Sequence, residues 1–310
     1  MQALKETIRR QESLMNMYKF LNQRINNAIY QISPVLLTKK LYKETMGTRL
    51  DLVNPKDFNE KLQWLKLYWQ HPLVAKCADK YTVREYIEEC GYSEILNELY
   101  GVYDQSQDVD FGALPNQFAI KCTHGCGFNI ICSDLSAVNT EEMREKLDGW
   151  MKTRYSLVAA EVQYDKMKPR IICEKYLGDA AGNTPADFKV YCFHGKAVFI
   201  LACTDRNTGV KFSLYDKNWE LFPYRKWNSS KNIDKPITLD QMLRVSEALS
   251  QPFPFVRIDY YEYEGQLILG EMSFTPTGCL DSQLEEETSL YMGNLITLPG
   301  KYKPNSVKNN

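Results

Sequence analysis

Arg257 and Asp259 stand two residues apart in FPFVRIDYYEY, and Glu271 and Ser273 stand two apart in GQLILGEMSFTPTG. These stretches, on either side of Glu264–Gly265, read as the arms of a hairpin over Val256–Tyr263 and Gln266–Phe274. Side chains alternate between faces along a strand, so each pair shares a face. Whether the two pairs meet depends on the turn. A three-residue turn, Tyr263–Gly265 with Gly265 left-handed in a bulge, puts all four on one face, with Arg257 across from Glu271 and Asp259 on the diagonal. That is the expected register. One cation and two carboxylates then gather beside the small-residue loop Thr275–Gly278. Magnesium favours one or two carboxylates plus substrate phosphates, and arginine stabilises charge on a phosphoryl group in transfer. Asp259, Glu271 and Ser273 are therefore candidate metal ligands, and Arg257 is a candidate catalytic residue. An ordinary hairpin with a surface salt bridge uses the same residues, so the rest of the chain must decide.

Two further lysines sit on strand-like stretches. Phe118, Ile120 and Cys122 make one face of a strand and Lys121 points the other way, into His124-Gly125-Cys126-Gly127-Phe128-Asn129. A lysine beside a glycine-bearing loop is a plausible phosphate clamp, because glycines let backbone N–H groups approach the oxygens. The stretch is neither a P-loop nor GxGxxG, and an edge lysine with two turn glycines explains it equally. Asp187, Lys189 and Tyr191 share the face of another strand, and Arg206 follows the strand Ala197–Cys203. Between them, Arg170–Glu174 leads into Glu174-Lys175-Tyr176-Leu177. Such a strand-to-linker passage offers its backbone to a purine edge, or is a crossover with no ligand.

The elements that position these residues are partly helical. Residues 34–50 read as a helix ending near Gly47, and Asp57 with Glu60 as a capping box before an apolar face of Phe58, Leu62, Leu65 and Trp69. Pro72 suits the start of a helix running through Asp79-Lys80-Tyr81 to Cys90. Asn139 or Thr140 caps a helix to about Tyr155, and Thr238 with Gln241 caps another. Phe212–Tyr215 and Trp219–Phe222 flank a further hairpin.

With 310 residues, 44% of them hydrophobic and 25% charged, the chain has a globular composition and length for two lobes. No apolar run approaches the ~20 residues needed to cross a bilayer, and no secretory leader is expected. Nine scattered cysteines read as reduced thiols of a cytoplasmic protein. Cys122, His124 and Cys126 lack a second pair of zinc ligands. Residues 1–50 carry nine Lys/Arg against three Glu, a balance of +6 within a net charge of −1. Leu14, Tyr18, Leu21, Ile25 and Ile29 recur at helical spacing there. Residues 1–33 are thus a basic amphipathic helix for packing on the body or a second copy, or for peripheral contact with an anionic membrane. Nucleic acid is not an expected partner, since the basic excess is confined to this segment.

Seven stretches in order, NPKDFNEKLQWLK, DKYTVREY, LPNQFAIKCTHGCGFN, KPRIICEKYL, DFKVYCFHGK, FPFVRIDYY and GEMSFTPTG, span about residues 35–280. Together they resemble the TupA-like branch of the ATP-grasp superfamily, the type that serves teichuronopeptide and surface polysaccharide (capsule) synthesis. The resemblance implies an α+β, ATP-grasp fold. A mostly helical region covers 1–110, a small lobe 111–178, a large lobe 179–300, and a tail 301–310. Two lobes enclose ATP, with Mg²⁺ as the second cofactor. It implies that Lys121 and Lys189 touch the phosphates, that Gly125–Asn129, with Gly125 and Gly127, close over them, and that Glu174, Lys175, Tyr176 and Leu177 hold the adenine. Asp187 lies near the ribose or the lysine cluster, Asp259 and Glu271 hold Mg²⁺, and Arg257 stabilises the reacting phosphate. Arg206 and His124 are further catalytic candidates. Ser273 stands where many ATP-grasp enzymes have Asn, which puts a second metal in doubt.

The family's chemistry implies activation of a carboxylate, here a uronic acid of a saccharide or glycan, as an acyl phosphate for attack by an amine or amino acid. Aromatic Tyr215, Trp219, Tyr224 and Trp227 are candidate sugar-facing residues or core. Two rivals stay open: a kinase passing the γ-phosphate to a sugar hydroxyl, and a non-catalytic nucleotide-binding module.

Overall fold

The computed structural model describes residues 21–178, 184–204, 209–222 and 233–301 of the chain. Two antiparallel sheets organise these residues. The smaller contains β1 (Leu99–Tyr103), β2 (Phe118–Cys122), β3 (Asn129–Cys132) and β4 (Ile171–Lys175), in the order β1-β4-β2-β3. The larger contains β5 (Asp187–Phe193), β6 (Lys196–Thr204), β7 (Lys211–Asp216), β8 (Phe255–Tyr263) and β9 (Gln266–Ser273), in the order β7-β6-β5-β8-β9.

Strand alternation sorts the large sheet into two buried faces. Phe188, Val190, Cys192, Val256, Ile258 and Tyr260 lie in one core with Leu239, Met242, Val245 and Leu249 of a helix at Leu239–Ser250. Tyr191, Phe193, Phe199 and Phe255 lie in a second core. The helices of the N-terminal third close both. From α1 (Pro34–Met46), capped by left-handed Gly47 as its sequence predicts, the chain passes to α2 (Phe58–Tyr68). Phe58, Leu62, Trp64 and Leu65 of α2 pack in the second core. Cys77 and Ala78 of α3 (Pro72–Ala78), and Val83, Tyr86 and Ile87 of α4 (Val83–Glu89), pack in the first. The helical region is therefore a wrapping of the large sheet. β1, although it precedes residue 111, belongs to the small sheet. That sheet is covered by Met143 and Leu147 of α5 (Thr140–Met151).

Three local expectations change. The single helix expected from Pro72 to Cys90 is broken, because the Asp79 carboxylate accepts from Tyr81 N–H at 2.8 Å and Thr82 N–H at 2.9 Å. Asp57 caps Glu60 N–H at 2.9 Å, but the Glu60 carboxylate turns to the N–H groups of Lys56 and Asp51 instead of closing the box. Thr238 makes no cap; its N–H and hydroxyl donate to Glu262.

Residues 21–32 are helical. Tyr30 is buried and donates to Asp165 at 2.7 Å, while Leu21 and Ile25 of the apolar stripe stay exposed. No helix among the described residues is long and apolar enough to cross a membrane.

Candidate functional site

The β8–β9 hairpin sets the site. Its turn is Glu264–Gly265, both left-handed (φ 52° and 74°), with Tyr263 paired to Gln266. This two-residue turn differs from the expected three-residue one. It would leave Asp259 and Glu271 on opposite faces but for a bulge. The register shifts between Asp259 and Tyr260, so Tyr260 faces Leu269 while Asp259 faces Glu271, and Gly270 is the extra residue. A Cβ on Gly270 would lie 3.1 Å from the Asp259 carbonyl oxygen and 3.2 Å from the Tyr261 ring, which explains glycine there. The shared face is thus as expected, but the pairs are not. Arg257 faces Ser273, and Asp259 faces Glu271 directly.

Two rows of side chains cross three strands. Lys189 on β5 faces Asp259, which faces Glu271; Tyr191 faces Arg257, which faces Ser273. Lys189 Nζ donates to Asp187 and Asp259 at 2.7 Å each. Arg257 grips Asp259 with two hydrogen bonds of 2.7 Å. Ser273 Oγ donates to Glu271 at 3.1 Å and accepts from Arg257 at 3.3 Å. Burial alone would lower the pKa of Lys189 and Arg257, but the neighbouring carboxylates hold both above their ordinary values. For Glu271 burial pushes upward, and Lys80, Arg257 and Lys189 more than reverse it, to about 2 from 4.5.

The small sheet supplies the opposing wall. Lys121 Nζ donates to Glu174 at 2.7 Å, and Arg84 lies 3.6 Å from the other Glu174 oxygen. Burial lowers the Lys121 pKa, but the charge and hydrogen bond of Glu174 prevail and hold it above its ordinary value. Glu174, expected at the adenine, pairs here with Lys121 and Arg84. Lys175 N–H donates to the Glu98 carbonyl and its own carbonyl accepts from Asn97 at 2.9 Å, so both of its backbone polar groups are engaged within the fold. Asn129 is exposed and faces Lys121 across β2 and β3. Gly127 is left-handed at φ 76°, and Gly125 packs so closely that a Cβ would meet Phe128 and Tyr155 below 3 Å.

Lys80 joins the two walls. Its Nζ donates to the Gly125 carbonyl of the loop at 2.8 Å and lies 3.4 Å from Glu271 of the hairpin. The helix break at Asp79 presents it there. Sequence reading placed Lys80 inside a helix and missed it. The available sign is Asp79 itself, a residue type whose carboxylate folds onto N–H groups two and three positions on and so makes a turn.

His124 is not part of this cluster. It is 4% exposed, its Nε2 lies 3.1 Å from the Trp150 carbonyl, and its ring packs on Phe128. Burial pushes its pKa down. Tyr215 and Trp219 take the second of their two expected places. Tyr215 is buried and stacked on Trp219 at 4.0 Å, and both side chains donate to the Ile233 carbonyl, so they are core, not a sugar platform. Arg206, Tyr224 and Trp227 lie outside the described residues.

The donor set at the hairpin is all oxygen: two facing carboxylates and a hydroxyl. No cluster of three His, Cys, Asp or Glu able to hold a metal occurs among the described residues. Two carboxylates without nitrogen or sulfur fit magnesium, with phosphates completing the coordination, and do not fit structural zinc.

Among curated proteins, none shows significant similarity to this chain. Solved structures with a similar fold include D-alanine–D-alanine ligase from Bacillus anthracis with ATP, at 14% identity over 72% of this chain and 68% of that one, TM-score 0.38. The Helicobacter pylori D-alanine–D-alanine ligase matches at 14% identity over 77% and 68%, TM-score 0.42. N5-carboxyaminoimidazole ribonucleotide synthetase from Thermus thermophilus matches at 8% identity over 65% and 46%, TM-score 0.38. The family model for TupA-like ATP-grasp matches residues 60–297, most of the chain and all of the strands that carry the cluster. This chain belongs to the TupA-like ATP-grasp family.

Proposed function

We propose that this chain joins a carboxylate to an amine in an ATP-dependent ligation, and that the carboxylate is a uronic acid of a cell-surface polysaccharide or its precursor. The observation that carries the reading is the meeting of Lys80, Lys189 and Arg257 at the facing carboxylates Asp259 and Glu271, opposite Lys121. ATP and magnesium, when bound, supply the phosphoryl group and neutralise part of its charge. Asp259, Glu271 and Ser273 would hold the metal. Lys121 and Lys189, held cationic by Glu174, Asp187 and Asp259, would meet the phosphate oxygens. Arg257, pinned by Asp259, cannot swing away, so its charge is in place before the reaction begins. Lys80 ties the glycine loop to the hairpin. The uronic acid acceptor follows from the family's setting in surface polysaccharide synthesis.

The test is incubation with labelled ATP, Mg²⁺ and a panel of uronic acids, sugars and amines. The expected product is an amide, with release of ADP and phosphate. A stable phosphosugar would replace this reading by a glycan kinase, and ATP binding without turnover by a nucleotide-binding module. Lys121→Ala should lose nucleotide binding.

A further inference from the structure

A groove of about 1090 Å³ opens on the helical side of the chain, away from the hairpin. Its cations are Lys76, Lys166, Lys168, Arg170 and Lys301, against Asp79 and Glu85. The acids are already engaged: Asp79 caps the N–H groups of Tyr81 and Thr82, and Glu85 lies 3.4 Å from Lys76. Lys76 is further paired with Glu89 and Lys168 with Asp104. Lys166, Arg170 and Lys301 form no salt bridge among the described residues. Five cations against two engaged acids therefore line one open cleft in a protein whose net charge is −1, with Asp104 near Lys168 and Arg170.

A smaller cavity adjoins the groove. This cavity, of about 30 Å³, shares Gln70, Ala75 and Lys166 with it and is also lined by Lys66, Gln163 and Thr275. Thr275 lies two residues beyond the candidate ligand Ser273. Arg170 is tied by backbone to the start of the glycine loop, since Thr123 N–H donates to its carbonyl at 2.9 Å.

We propose that this groove docks an acidic saccharide chain bearing several carboxylates. Several separated cations in an open cleft suit a repeating anion better than a single one, which would call for an enclosed nest of donors. The aromatic faces argue against nucleic acid. Lys301 covers one face of Tyr68 at 4.2 Å and Arg170 one face of Tyr81 at 5.3 Å, which leaves less aromatic surface for a base to stack on. The choice of a carboxylated sugar rests on the proposed function; the docking itself is tested without ATP.

The experiment measures binding of a labelled oligogalacturonate to the whole chain, beside its methyl-esterified form and a DNA oligonucleotide of equal charge. The acidic saccharide should bind, weaken as salt rises, and lose roughly tenfold in affinity in Lys166→Glu/Arg170→Glu. The esterified form should not bind, and DNA should bind more weakly. Lys301→Glu, on an exposed position near the chain end, should weaken binding about threefold and serves if the double variant does not fold. Equal binding of the esterified form, tighter binding of DNA, or unchanged affinity in a folded variant overturns the proposal. Binding as expected without any ligation by the chain would leave this inference standing and sink the proposed function. Ligation of a monomeric uronic acid with no binding of the oligomer would do the reverse.

Discussion

Two glutamates near the end of the hairpin are treated in opposite ways. Glu271 is 28% exposed at its side chain and is surrounded by Lys80, Arg257 and Lys189, which hold its pKa at about 2. Glu161 is 5% exposed and accepts one hydrogen bond, 2.5 Å from Thr275 Oγ1, whose oxygen in turn accepts from Gln163. Its nearest cation in effect is Lys66, whose ammonium donates to the Ala159 carbonyl instead. Burial raises the Glu161 pKa and lowers that of Lys66, so both move toward their neutral forms. The difference teaches that burial alone does not set the charge of a carboxylate. The number of cations facing it does.

Removing the charge of Glu271 gives the largest expected effect. Glu271→Gln leaves Lys80 and Arg257 without their shared partner and deletes a candidate metal ligand. Turnover in the ligation assay should fall by about two to three orders of magnitude. Stability should fall by about 2 kcal/mol in urea titration at neutral pH, below the range for a fully buried pair because the side chain is partly exposed. The pH dependence follows from the depressed pKa. The folded state binds fewer protons than the unfolded one between 4.5 and about 2. The stabilisation from Glu271 is therefore complete above 4.5 and is lost as pH falls through about 2. A Gln variant with wild-type turnover would end the comparison.

Lys80→Ala tests whether the small lobe matters to the hairpin's charge. Lys80 contacts both the Gly125 carbonyl and Glu271. Turnover should fall about a hundredfold, with a stability loss near 1 kcal/mol. Loss of stability with unchanged turnover would reduce Lys80 to a structural tie.

How much of this could be read from the chain differs by region. Arg257, Asp259, Glu271 and Ser273 were legible because period-two alternation fixes which side chains share a face. Their pairing was not, because it depends on a two-residue turn and a bulge at Gly270 whose effects on the face cancel. A glycine inside a strand pattern was the available sign of the bulge. Lys80 was hidden by helical periodicity that continues across a break made by the Asp79 side chain. His124 misled by residue type: its chemistry suits catalysis, but the Trp150 carbonyl and the Phe128 ring hold it in the small-lobe core. The wrapping of the large sheet by α2, α3 and α4 depends on contacts distant in sequence, which local pattern does not carry.

Gly270→Val sharpens the bulge's part in the comparison. The added carbon would press on the Asp259 carbonyl and the Tyr261 ring. A loss of about 1–2 kcal/mol in thermal or urea unfolding is expected. Turnover should fall further than stability, because Asp259 and Glu271 face each other only while the bulge persists. If turnover and stability fall in proportion, the bulge serves the fold alone.

The smallest effect, and the one that isolates the second glutamate, comes from Glu161→Gln. The raised pKa means that the folded state keeps this proton after the unfolded chain has begun to release it at about 4.5. Above that value the folded state binds more protons than the unfolded, so stability falls as pH rises toward the folded pKa. Glutamine cannot ionise, and its amide oxygen still accepts from Thr275. The variant should match the wild type below 4.5 and equal or exceed its stability at neutral pH by about 1 kcal/mol, flattening the pH profile of urea unfolding. A variant weaker than the wild type at neutral pH would mean that Glu161 is ionised against Lys66, and the contrast with Glu271 would then be one of degree.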